Sequence, residues 1–201
     1  SSWQHWAWSK QGALSRELSS RYPDATESNE ELTFRLVRDA ATLLDKGTAP
    51  FPIESVEGTF AHIAIGTNPE VNVLIEYLDR YAKFDHYTNI APKSLLRHEA
   101  IVLSFHQDPK NPWRRYKLTS SEKALISGLQ AAGKPVYVLH FANPYGLLTY
   151  PELGENLKVL VMYENNAAAQ KLAPQFLFGA RAVKGKLPVD LNGWGAQGSG
   201  I

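Results

Sequence analysis

The chain of 201 residues contains no cysteine. That excludes a disulfide framework, a thiolate metal site and a cysteine nucleophile, and it says nothing about redox compartment. An excess of one charge is also missing: 21 basic residues stand against 20 acidic ones, a formal net charge of +1. Neither a nucleic-acid backbone nor an anionic membrane surface is therefore implied as a partner. No apolar run approaches the ~20 residues needed to span a bilayer, so no membrane span is expected. There is no Gly-x-Ser-x-Gly elbow, which disfavours an α/β-hydrolase. The nucleotide-binding glycine fingerprints are missing too. "GTNP" at 66–69 reads as a simple helix start and "GARAVKGK" at 179–186 as a tight turn. Histidines stand at 5, 62, 86, 98, 106 and 140, none in a helical pair spaced for zinc. His140 falls inside an apolar run and reads as a satisfied core histidine. No metal or other cofactor is expected. No secretory signal is visible, but Ser1-Ser2 reads as a trimmed start, so that absence carries little weight.

What is present fits one globular domain with an arm, at 44% hydrophobic and 20% charged residues. The arm holds Trp3, Trp6 and Trp8 within six positions. Ser28 with Glu31 forms a capping box. Leu32, Leu36, Val37, Ala40, Leu43 and Leu44 then recur at helical spacing until "KGTAPFPI" stops the helix. After this the chain alternates. Strands are expected at Ala61–Gly66, over "FDHYTNI", at Ala100–His106, at Pro135–Phe141 and at Leu157–Tyr163. Helices are expected from Asn68 and Pro69, from a second capping box at Thr119 and Glu122, and over "ENNAAAQKLAPQFLFG", kinked or restarted at Pro174. The later strands are apolar on both faces, as in a parallel sheet covered on two sides. The expected fold is α/β: a doubly wound, mainly parallel sheet with helices on both faces, a three-layer α/β/α sandwich. The end of the chain, from residue 191, reads as a flexible glycine-rich tail.

In such a sheet ligands bind beyond the carboxyl ends of the strands. Four such ends carry polar groups: Gly66, Thr67 and Asn68; His106, Gln107 and Asp108; Asn143; and Glu164, Asn165 and Asn166. His106 and Glu164 would make an acid–base pair if their strands were neighbours. Alternatively Glu164 and the asparagines cap the next helix, and His106 sits in a solvated loop. Trp113, with Arg114, Arg115 and Tyr116, offers a flat platform for a sugar, or else tucks under its own loop.

Several phrases together resemble the C-terminal α/β domain of glycoside hydrolase family 3, in its bacterial β-N-acetylhexosaminidase branch. They are "IVLSFHQ", "LTSSEKALISGLQAAGKPVYVLHFANPYGL", "LKVLVMYENNAAAQKLAPQFLFGA" and "GKLPVDL". The likeness rests on Leu125, Ile126, Leu129, Gly133, Lys134, Pro135 and Val136, then Ala173, Leu177, Phe178 and Gly179, then Gly185 to Val189. It implies a final strand around Gly185 to Val189, with residues 29–190 forming the domain. It implies that residues 1–28 are a linker arm from an N-terminal (β/α)8 barrel. That barrel would supply the aspartate nucleophile and a His–Asp acid/base dyad, leaving no catalytic residue in this chain. It further implies that Trp3, Trp6, Trp8 and Trp113 face the barrel. His106, Gln107, Asn143, Glu164 and Asn165 would lie on the substrate side, toward an amino-sugar ligand. The implied location is a bacterial periplasm or cell surface. The alternative is a stand-alone domain binding a small ligand, such as a sugar, at the carboxyl edge.

Overall fold

A computed structural model describes residues 28–45, 47–66, 70–88, 92–107, 118–151 and 154–200. Trp3, Trp6, Trp8, Thr67, Asn68, Pro69, Asp108, Trp113, Arg114, Arg115 and Tyr116 lie outside the described residues. The chain divides into two units, Ser1–Arg35 and Leu36–Ile201. Of the first, only residues 28–35 are described. They hold the expected capping box: the Glu31 N–H donates to Ser28 Oγ (3.2 Å) and the Ser28 N–H donates to Glu31 Oε2 (2.9 Å). Those bonds hold the Glu31 carboxyl below its usual range. They open helix α1 (Asn29–Ala40).

The second unit is built on one sheet of six strands. These are β1 (Thr42–Asp45), β2 (Thr59–Gly66), β3 (Lys83–Tyr87), β4 (Ile101–His106), β5 (Val136–Phe141) and β6 (Leu157–Val161). Their order is β1-β6-β5-β4-β2-β3. All neighbours run parallel except β1 with β6. The central strands β4, β5 and β6 are buried at every residue, as continuous apolar runs under two covering layers require. Between the strands lie α2 (Asn72–Leu78), α3 (Ser120–Ala131) and α4 (Ala167–Leu177). On one sheet face Ile63, Leu103, Val138 and Val159 pack with Ile126 and Leu129 of α3. On the other, α2 and α4 pair, and Phe178 at the end of α4 meets Phe60 of β2 edge to face at 6.1 Å. The doubly wound arrangement thus follows directly from the strand pattern.

Three local expectations are corrected. Helix α1 stops at Ala40; Leu43 and Leu44, which continue its spacing, belong to strand β1 instead. The reason is tertiary. Leu43 and Leu44 pair with Leu160 and Val159 along an open sheet edge, and Asp45 receives the buried ammonium of Lys158. Helix α2 starts at Asn72, with no side-chain cap at Val71. The segment Gly185 to Val189 forms no strand. The Gly185 N–H donates to Ala41 O (3.0 Å), and the Leu187 N–H donates to Ser199 O (2.7 Å), so its partners are scattered rather than a ladder. A Cβ on Gly185 would sit 2.1 Å from Ala40 O, which explains the glycine.

Residues 191–200, read from sequence as a loose tail, are folded back. Trp194 is buried, its indole N–H donating to Leu147 O at 3.0 Å. The Gln197 N–H donates to Asp190 Oδ1, and the Gly198 N–H to Leu187 O. Pro174 is carried within α4, which continues through it to Leu177.

Candidate functional site

Strands β2, β4, β5 and β6 are parallel, so their carboxyl ends share one edge. From β2 the chain steps outward to β3; from β4 it steps the other way to β5 and β6. The gap between β2 and β4 is therefore the topological switch point, where open α/β sheets form their ligand crevice.

Gly66 and His106 face each other there in register. Gly66 has φ +117°, and a Cβ on it would fall 1.9 Å from His106 O. Its N–H donates to Glu122 Oε1 at 3.1 Å. Glu122 sits in the first turn of α3, and its other oxygen closes the capping box on Thr119. One carboxylate thus ties the end of β2 to the start of α3. Sequence spacing marked Glu122 only as a cap.

His106 ends β4 and is fully buried, stacked on Phe141 at 4.7 Å. It is not in a solvated loop. Its Nδ1 lies 3.0 Å from Asn165 Oδ1, which can only accept, so Nδ1 carries the hydrogen. The neutral ring then holds a bare lone pair at Nε2, a buried atom with no partner among the described residues. Burial pushes the imidazole down to about 4, which keeps it neutral near pH 7.

Asn165 is the hub. Its Nδ2 donates to Gln107 O (3.2 Å), and its Oδ1 also accepts from Gln170 Nε2 (3.1 Å). Gln170 is buried within α4. It accepts from the Leu74 N–H and donates to Glu70 O, so the strand-end cluster is bonded to the start of α2. Sequence reasoning placed Gly66, His106, Gln107 and Asn165 at strand ends but missed Glu122 and Gln170 as members of this cluster. A polar Gln170 inside the apolar stripe of α4 was the available signal.

Glu164 is not brought to His106. Strand β5 lies between β4 and β6, so the two strands are not neighbours. Glu164 is exposed and follows Tyr163, whose φ is +64°. The Glu164 N–H donates to Met162 O at 2.8 Å, a three-residue reversal. Tyr163 is held through its hydroxyl at 2.8 Å from Thr42 Oγ1. Asn166, not Glu164, caps α4 by accepting from the Ala169 N–H (2.9 Å). Asn143 caps the short helix Pro144–Thr149, accepting from the Tyr145 N–H. Its carbonyl accepts from His140 Nε2, while the Tyr150 hydroxyl donates to His140 Nδ1. His140 is thus the satisfied core histidine expected from its run.

No two of these strand-end groups form a general acid–base pair. Among the described residues no group of three or more His, Asp or Glu is placed to hold a metal. Also among them, no helix is long and apolar enough to cross a membrane. Among the described residues one serine–histidine contact occurs, Ser104 Oγ to His62 Nε2 at 2.8 Å, but both residues are buried beneath α2 and α4.

An α/β layer with a built switch point is what these residues define. No family model matches the chain, and no curated protein matches it. Solved structures do. A family 3 β-N-acetylglucosaminidase from Paenibacillus sp. FPU-7 is similar at TM-score 0.60 and 18% identity, over 83% of this chain and 34% of that one. A β-glucoside phosphorylase, BglX, is similar at TM-score 0.64 and 16% identity, over 81% of this chain and 32% of that one. A fungal multi-domain family 3 β-N-acetylglucosaminidase is similar at TM-score 0.61 and 18% identity, over 80% of this chain and 19% of that one. At such identities the likeness defines the fold. The chain spans a fifth to a third of the length of these proteins.

Proposed function

We propose that this chain is the C-terminal α/β domain of a glycoside hydrolase family 3 enzyme of the β-N-acetylhexosaminidase kind. It would support a (β/α)8 catalytic domain of the same protein and break no glycosidic bond itself. The observation that carries this reading is the match of about four-fifths of the chain to about a fifth to a third of two family 3 β-N-acetylglucosaminidases. The site agrees with it. His106, Gln107 and Asn165 are bonded to one another and to α4, a structural arrangement rather than a poised acid and base. Glu164 and Asn143 stand at the same edge, on the side where a sugar cleft shared with a barrel would lie.

The test uses 4-nitrophenyl N-acetyl-β-glucosaminide. The chain alone is expected to give no turnover above buffer. Turnover that disappears in Glu164→Gln would overturn the non-catalytic reading. A second reading, a stand-alone sugar-binding domain, draws on the bare Nε2 of His106. A thermal shift with N-acetylglucosamine, lost in His106→Phe, would favour it over the first.

A further inference from the structure

Outside the strand-end cluster, a cleft of about 400 Å³ opens beside the last turn of α1. Among the described residues it is lined by Arg38, Asp39, Arg181, Ala182 and Lys184. Two stretches of chain form its walls. One is the carboxyl end of α1; the other runs from Gly179, just past the end of α4, to Gly185. The second stretch is pinned twice. The Arg181 N–H donates to Gln175 O (3.1 Å), and the Gly185 N–H donates to Ala41 O (3.0 Å). Gly185 has no room for a Cβ against Ala40 O, so the stretch lies directly on the residues that follow Asp39. The walls are open to solvent: the Arg38 and Asp39 side chains are 39% and 58% exposed, and Arg181 and Lys184 are exposed too.

Three cations line the cleft against one carboxylate, an excess of two positive charges. Both guanidinium groups are fixed from the Nε side. Arg38 donates from Nε and Nη2 to the two oxygens of Asp39 at 2.8 and 3.1 Å. Arg181 donates from Nε to Gln175 Oε1 at 2.6 Å, and Gln175 is itself held because its Nε2 donates to Lys171 O at 3.0 Å. A guanidinium ordered in advance loses less entropy when it grips an anion. Helix dipoles account for Arg38, in the last turn of α1, but not for Lys184, which lies well past the end of α4.

The excess of two charges matches a dianion; a carboxylate would balance only half of it. Guanidinium forks bond pairs of oxygens on one phosphorus, and an ammonium adds a point charge. The lining has no aromatic ring and a single methyl side chain, Ala182, so the remainder of the ligand is polar as well. The volume is that of a small-molecule site. We propose that this cleft binds a phosphate dianion, taken free or as the phosphomonoester of a small polar molecule such as a sugar. Arg181 and Lys184 grip the phosphate from one wall, and Arg38, steadied by Asp39, closes the other. The site shares no residue with the strand-end cluster and stands whether or not the chain supports a catalytic barrel.

Calorimetry and nitrogen-15 NMR of the whole chain test this at pH 7.5. The probes are inorganic phosphate and glucose 6-phosphate, with ionic strength held constant by sodium chloride. Saturable binding is expected, half-complete near ~1 mM, with amide shifts at residues 38–39 and 181–184. Tighter binding of glucose 6-phosphate assigns the site to an ester; equal or weaker binding of it assigns free phosphate. Arg181→Gln should weaken binding about tenfold, since a charge-assisted pair of hydrogen bonds is lost. Lys184→Gln should weaken it about threefold. Lys123→Gln, which removes one positive charge from α3 outside the cleft, should change nothing. No saturable binding of either probe, an equal response to acetate, or the same loss in Lys123→Gln as in Arg181→Gln overturns the proposal. Should Arg181→Gln not fold, Lys184→Gln and the shift map of the unaltered chain decide it: shifts that fall elsewhere overturn the site.

Discussion

Acid should unfold this protein early, and the size of the effect can be worked from three rings. His62, His106 and His140 are each buried to 1% exposure or less. Burial pushes them down to about 3, about 4 and about 4. In the unfolded chain each would take a proton near ~6.5. Between those values the unfolded state binds more protons than the folded one, so stability falls as pH falls. The loss begins just above pH ~6.5 and levels off only once the folded rings themselves titrate. From pH 7 to pH 5 each ring removes about 2 kcal/mol, and the three together about 6 kcal/mol. That is comparable with the whole stability of an ordinary domain, about 5–15 kcal/mol. Urea unfolding at half-unit pH steps, with linear extrapolation to water, measures it. The slope near pH 5.5 should approach about 4 kcal/mol per pH unit and drop by about a third in His140→Gln. A stability that changes by less than about 1 kcal/mol between pH 7 and 5 would refute the reasoning.

Four substitutions test the packing of the domain. Gly66→Ala should cost about 3 kcal/mol, because φ is +117° and the new Cβ meets the His106 carbonyl at 1.9 Å. Gly133→Ala, at φ +69° with nothing within 4 Å, should cost only about 1 kcal/mol, and chemical denaturation compares the pair. Trp194→Ala should cost about 3–4 kcal/mol and expose residues 191–200 to limited proteolysis, since the indole is buried and bonded to Leu147 O. Asp45→Ala leaves the buried Lys158 ammonium with only Gly47 O and should cost about 3 kcal/mol, read as a lowered urea midpoint.

The fold was legible where one local rule acted alone. The capping box of Thr119 and Glu122 announces α3, and the unbroken runs of β4, β5 and β6 announce a sheet covered on both faces. It was misread where two rules competed. Leu43 and Leu44 satisfy the helical spacing that begins at Leu32, yet they also fit an edge strand. Only the presence of β6 and its buried Lys158 decides between these, and neither is local in sequence. The glycines after Leu191 suggested looseness because composition cannot show that Trp194 finds a seat under the Pro144–Thr149 turn.

The site was legible as an edge but not as a network, and the difference is physical. Parallel strands bring their polar ends to one side, so His106, Gln107, Asn143, Glu164 and Asn165 share an edge on topology alone. Which of them meet depends on strand order, and here β5 separates His106 from Glu164. Asn165, one residue further along, reaches His106 instead, and Gln170 in the first turn of α4 completes the bond pattern. The 3.0 Å contact between His62 Nδ1 and His86 Nδ1 behaves the same way. His62 and His86 occupy opposed positions of paired strands, a cross-strand contact that appears only once the register of β2 on β3 is known. Both sets of contacts meet at α2: His86 reaches Asp79, and the strand-end cluster reaches Leu74 and Glu70. This seven-residue helix is thus held at its two ends by polar contacts, with Leu74 and Leu78 as its buried anchors.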